Sequence, residues 1–101
     1  MVMKDIETIK ARQIVEGGSA IDGGAKLAGV VTDRIARDGF AKVSFAGLRG
    51  LPSSFYNVLL IQILEKSDGR DLDTIVEFEF DSRPQREVFQ RSRDRVIQAM
   101  R

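Results

Sequence analysis

The sequence predicts an α/β fold, a small βαβαβα domain with a mostly parallel or mixed sheet flanked by helices. Short strand-like stretches within Asp5–Val15, Ala41–Leu48 and Asp73–Phe80 alternate with helix-length segments of roughly 3.6-residue periodicity. Helices of that length between strands favour parallel crossovers. At 101 residues the chain has room for one core, so residues 1–101 read as a single domain.

The first strand is expected within Asp5–Val15, where Ile6, Ile9, Ile14 and Val15 lie among charges. Gly17 to Gly24 holds four glycines in eight residues and reads as a mobile turn. It lacks the lysine and hydroxyl residue that follow a phosphate-binding loop, since Ala25-Lys26-Leu27 comes next, and its spacing also misses the dinucleotide fingerprint. From Gly24, Leu27, Val31 and Ile35 recur at helical spacing until Asp38-Gly39, where glycine supplies a left-handed cap. Val43, Phe45 and Leu48 suit a buried second strand. A strongly apolar helix follows from Ser53 or Ser54 to about Lys66, stopped by Ser67-Asp68-Gly69. Asp73–Phe80 ends in strict alternation, Val76, Phe78 and Phe80 against Glu77 and Glu79, which fits a half-exposed edge strand. Ser82-Arg83-Pro84 opens the last helix, with Val88, Phe89, Val96, Ile97 and Met100 facing the core.

Composition removes whole classes of chemistry. The chain has no cysteine and no histidine, which excludes disulfides, thiolate or histidine catalysis, and zinc sites built on those ligands. Sixteen basic and fifteen acidic residues leave a net charge of +1, giving no bulk attraction to nucleic acid or membranes. The longest apolar run, Val58–Ile61, is far short of the roughly 20 residues of a membrane span. Lys4, Asp5, Glu7, Lys10 and Arg12 interrupt anything like a signal peptide. A soluble, cytoplasmic domain without membrane contact and without cofactor or metal is expected.

The junction from Ala41 to Leu64 is the chemically distinctive stretch: an apolar strand, a Gly/Pro loop, then two serines opening a helix. Ser53 is the expected N-cap, a role worth about 1 kcal/mol. Ser54 then occupies the first helical turn, where free N–H groups and the helix dipole would tolerate a phosphate, making it a candidate phosphoacceptor. Arg49 and Tyr56 read as exposed contact residues beside Pro52, Ser53, Ser54 and Asn57. Asp68, Asp71 and Asp73 lack calcium-loop spacing and read as solvated turn residues. No nucleophile has a recognisable base beside it, so a non-enzymatic protein is expected. The last helix carries six arginines against three carboxylates over Asp81–Arg101; Arg91, Arg95 and either Gln98 or Arg101 share a face suited to phosphate contacts or to an acidic partner. A Glu87–Arg91 ion pair is expected there.

The run VSFAGLRGLPSSFYNVLL, 18 residues of 101, resembles the signature of STAS domains, named after sulfate transporters and anti-sigma factor antagonists. The likeness is nearer still to STAS-like proteins of unknown function, in which a Ser-Phe dipeptide replaces Ser-Gly; Gly47, Pro52, Ser54, Phe55 and Asn57 carry it. Ser54 falls on the serine that anti-sigma factor antagonists have phosphorylated, while Ser44 and Pro52 stand where that family has aspartates. The resemblance implies a STAS-like protein-interaction domain acting in partner-switching signalling in a bacterial or phage cell. It implies a kinase-like ATPase or another regulator as partner, met at Arg49, Pro52, Ser53, Ser54, Tyr56 and Asn57. An alternative reading is a nucleic-acid-associated accessory protein using the arginine-rich last helix. A third is an assembly subunit that oligomerises through the Asp73–Phe80 edge.

Overall fold

A computed structural model describes residues 7–15, 19–67 and 70–100. It is an α/β arrangement: β1 (Ile9–Lys10), α1 (Ala11–Ile14), α2 (Ala20–Asp38), β2 (Ala41–Ser44), α3 (Ser53–Lys66), α4 (Leu72–Ile75), β3 (Val76–Glu79) and α5 (Arg83–Ala99). The three strands form one parallel sheet in the order β1-β2-β3. Ile9 pairs with Val43 and Lys10 with Ser44, while Ala41–Ser44 pairs with Val76–Glu79. The parallel sheet and the edge position of the last strand match expectation.

The sheet alternation decides where the long helices go. Ile9, Ala41, Val43, Phe45 and Val76 are buried on one face, where they join Leu27 and Val31 of α2, Phe55, Leu59 and Ile63 of α3, and Phe89 of α5 in one core. The opposite face carries Lys10, Lys42, Ser44, Glu77 and Glu79, so α2, α3 and α5 gather on the apolar side. Burying each large apolar side chain contributes about 1.5–3 kcal/mol, which is what makes this one-sided arrangement hold. No helix among the described residues is long and apolar enough to cross a membrane.

Several local expectations are corrected. The Gly-rich stretch is not all turn: α2 begins at Ala20, so Gly23 and Gly24 are helical, and Ser19 caps the helix by accepting from the Asp22 amide at 3.1 Å. Gly17 and Gly18 lie outside the described residues. Tertiary packing overrides glycine's poor helix propensity here, because a Cβ on Gly24 would stand 2.7 Å from the Phe55 carbonyl oxygen. Glycine lets α2 and α3 approach that closely.

The first strand shrinks to Ile9–Lys10 before Ala11 turns into the core as a short helix. Ile6 lies outside the described residues. The third strand starts only at Val76, because Asp71 caps a helical turn over Leu72–Ile75, accepting from the Asp73 amide. Asp68 and Gly69 are outside the described residues. Asp73 is more than a solvated turn residue: it takes an Arg93 guanidinium N–H at 2.7 Å. Glu87 pairs with Arg83, one turn before it, rather than with Arg91. By contrast, Gly39 has φ 81° at the end of α2, as a left-handed cap requires, and Ser82 caps α5.

Candidate functional site

The strand–loop–helix junction sits where β2 ends. The Ser44 hydroxyl accepts from the Ala46 amide, and the Leu48 amide reaches back to the Phe45 carbonyl, so the chain turns sharply out of the sheet. Gly47 and Gly50 adopt φ of 83° and 72°, a region that disfavours side chains. A Cβ on Gly47 would meet only the flexible, exposed Arg12 side chain, at 3.0 Å, so the backbone conformation is what keeps glycine there.

Two side chains of the segment entering α5 hold this loop from beneath. The Asp81 carboxylate accepts from the Gly47 amide at 3.1 Å and from Arg49 Nη1 at 2.8 Å. Those bonds, the Arg49 one foremost, hold its pKa below the ordinary 3.8. Gln85 is buried, and its Oε1 accepts both from the Tyr56 hydroxyl at 2.8 Å and from the Leu51 amide at 3.3 Å. One amide oxygen thus ties the loop, α3 and α5 together. Ser82 and Gln85 have capping-box spacing, a signal for Gln85 that was legible in the sequence, although Gln85 turns toward Tyr56. The partner of Asp81 had no such local signal, because Arg49 lies 32 residues away.

The structure separates the predicted site residues into two groups. Pro52, Ser53 and Ser54 are exposed at the start of α3, and the Arg49 side chain is exposed but engaged by Asp81. Tyr56 is not a contact residue. It is fully buried among Phe45, Phe55, Phe80 and Phe89, and burial raises the pKa of its phenol. Asn57 is half-buried, with an enclosed Oδ1 that has no hydrogen-bond partner among the described residues. Ser53 is not the cap: Pro52 takes the N-cap position with φ −77° and ψ 163°, and no side chain caps α3. Ser53 is already the first helical residue, so its hydroxyl does not occupy the extended position from which a cap reaches the first-turn amides.

The arginines of α5 come to the same place. Leu51, Pro52 and Ser53 share a shallow groove of about 310 Å³ with Val88, Arg91, Ser92 and Arg95. Ser92 is buried, and its hydroxyl lies 3.5 Å from the Ser53 carbonyl, at the limit of a hydrogen bond. Arg93 is occupied by Asp73 and Asp94, and Arg83 by Glu87. Arg91 and Arg95 are exposed and have no ion-pair partner among the described residues. The loop and the arginine face, separate features in the sequence, are one surface. Among the described residues no group of three or more acidic side chains is placed to hold a metal ion. No family model matches the chain, and no curated protein or solved structure matches it either.

Proposed function

We propose that this chain is a non-enzymatic, STAS-like protein-interaction domain whose partner surface is the start of α3 together with Arg91 and Arg95. One observation carries the reading: an uncapped helix start and two unpaired arginines border the same groove. The helix dipole and the amides of Ser53 and Ser54, which no side chain caps, favour negative charge, and the guanidiniums add bidentate donors for carboxylates. An acidic segment of a partner protein is the ligand that fits. The Asp81 and Gln85 bonds support the reading from below, because a loop already held still loses little entropy on binding.

Ser54 is exposed in the first turn of α3. A phosphate there would add about −1.5 to −2 charges beside the groove and repel an acidic partner, which makes it the natural off-switch. A kinase-like ATPase or another regulator in the cytoplasm of a bacterial or phage-infected cell is the partner class the STAS resemblance suggests. Nucleic acid fits less well: with only two free arginines in the groove, the salt dependence of binding would be shallow, a slope of about −2.

Affinity purification from the native host, with wild-type, Ser54→Ala, Ser54→Asp and Arg91→Glu/Arg95→Glu proteins, tests this. Wild-type and Ser54→Ala are expected to recover the same protein. Binding should weaken by about tenfold or more in the other two, the size of one charge-assisted contact. Equal recovery by all four proteins refutes the proposal.

A further inference from the structure

The edge of β3 offers a second surface of opposite chemistry, independent of the arginine groove. β3 is the last strand of the sheet, paired only with β2 among the described residues. Beside it, a groove of about 520 Å³ runs between β3 and α5, where Phe40, Phe78, Phe80 and Phe89 are flanked by polar and charged side chains, Glu77 and Arg86 among them. Phe78 and Phe80 are only half-buried, although their rings lie 4.8 and 5.1 Å from the Phe89 ring centroid. On the other face of the strand, Glu77 and Glu79 point into solvent.

We propose that this edge binds an extended segment of another protein in which basic and apolar residues alternate, added as a fourth strand alongside Val76–Glu79. The pleat sets the requirement. An incoming strand must place one set of side chains against the phenylalanines and the other beside the glutamates. The sheet already shows the matching pair from within, since Lys42 lies opposite Glu77 in register with its ammonium 3.6 Å from the carboxylate. A lysine or arginine on the outer side would repeat that contact at Glu77 and supply the missing one at Glu79. In the groove, Arg93 is neutralised by Asp73 at 2.7 Å, and Arg86 offers donors to the carbonyls of an extended segment.

A second copy of the chain fits poorly. Antiparallel pairing of two β3 strands that keeps the phenylalanines on the helix side and overlaps Val76–Phe80 fully, centred on Phe78, sets Glu77 of one copy against Glu79 of the other. Four carboxylates would then crowd one face, and like charges directly opposite are destabilising. The edge therefore selects a basic partner and rejects itself.

Titrating the isotope-labelled protein with three peptides tests this by amide chemical shifts. The peptides are an alternating Lys-Val hexamer, its block isomer of three lysines followed by three valines, and an alternating Glu-Val hexamer. The alternating basic peptide should shift the Val76–Phe80 amides and bind about fivefold tighter than its isomer, the discrimination of two exposed charge pairs. Glu77→Lys/Glu79→Lys should reverse the preference toward the acidic peptide. Should that variant fail to fold, Glu79→Lys alone keeps the Lys42–Glu77 pair and must still weaken the basic peptide. Shifts that spare Val76–Phe80, equal affinity for the block isomer, or a preference unmoved by charge reversal would overturn the proposal. A wild-type dimer that perturbs those same amides would give the edge to a second copy and overturn it too.

Discussion

Alanine at two glycines of one helix should move stability in opposite directions. Gly24 and Gly29 both lie inside α2 (Ala20–Asp38). At Gly29 a Cβ meets nothing within 4 Å, so Gly29→Ala gains helix propensity without a steric cost, about 0.5–1 kcal/mol. At Gly24 the same Cβ falls 2.7 Å from the Phe55 carbonyl oxygen, 0.7 Å inside the 3.4 Å at which ordinary contact begins. That oxygen is backbone, anchored between the fully buried side chains of Phe55 and Tyr56, so it has little freedom to withdraw. Separating α2 from α3 is the remaining response, and overpacking of this kind costs about 1–3 kcal/mol. A 2.7 Å approach to backbone puts the overpacking in the upper half of that range, about 2–3 kcal/mol, so after the propensity gain Gly24→Ala should lose about 1–2 kcal/mol. Urea unfolding resolves differences of this size, and each kcal/mol shifts Tm by about 4–8 °C in a domain of this length. A Gly24→Ala protein as stable as wild type, or a destabilised Gly29→Ala, would refute the claim that close helix approach keeps Gly24.

Gln85→Leu should cost about 2–4 kcal/mol in urea unfolding, because it strands a buried Tyr56 hydroxyl and the Leu51 amide together. Tyr56→Phe, which leaves Gln85 with the Leu51 amide, should cost about 1 kcal/mol. Asp81 has a lowered pKa in the folded protein, so its contribution is complete above the unfolded value of 3.8 and is lost as pH falls through the lower folded value. Asp81→Asn should accordingly flatten the acid limb of a stability–pH curve and leave its slope near pH 7 unchanged. Tyr56 is raised above the ordinary 10.0 by burial, so stability falls as pH climbs past 10 and the unfolded chain ionises. Since Tyr56 is the only tyrosine and the chain has no tryptophan, the alkaline absorbance rise should coincide with loss of circular dichroism rather than precede it.

Features governed by neighbouring residues were legible in the sequence. Ser53–Lys66 is helical, Gly39 caps its helix, Ser82 opens α5, and the Val76–Phe80 alternation marks an edge strand. Features governed by distant partners were not. Gly23-Gly24 reads as a breaker until Phe55 is placed against it, 31 residues later than Gly24. Tyr56 reads as exposed because α3 is apolar around most of its circumference, so no single face stands out; only Gln85, 29 residues on, explains how its hydroxyl is buried. The convergence of Arg91 and Arg95 on Pro52 and Ser53 likewise follows from the packing of α5 against α3, which no local pattern states.

Site-specific photo-crosslinking in the native host tests most directly whether the α3 start faces a partner. A photoreactive residue at position 54 is compared with one at position 66, at the far end of the same helix. A discrete protein adduct is expected at position 54, absent at position 66 and lost when Arg91→Glu/Arg95→Glu is added. No adduct at position 54, or one that survives charge reversal unchanged, would contradict a partner-facing α3 start.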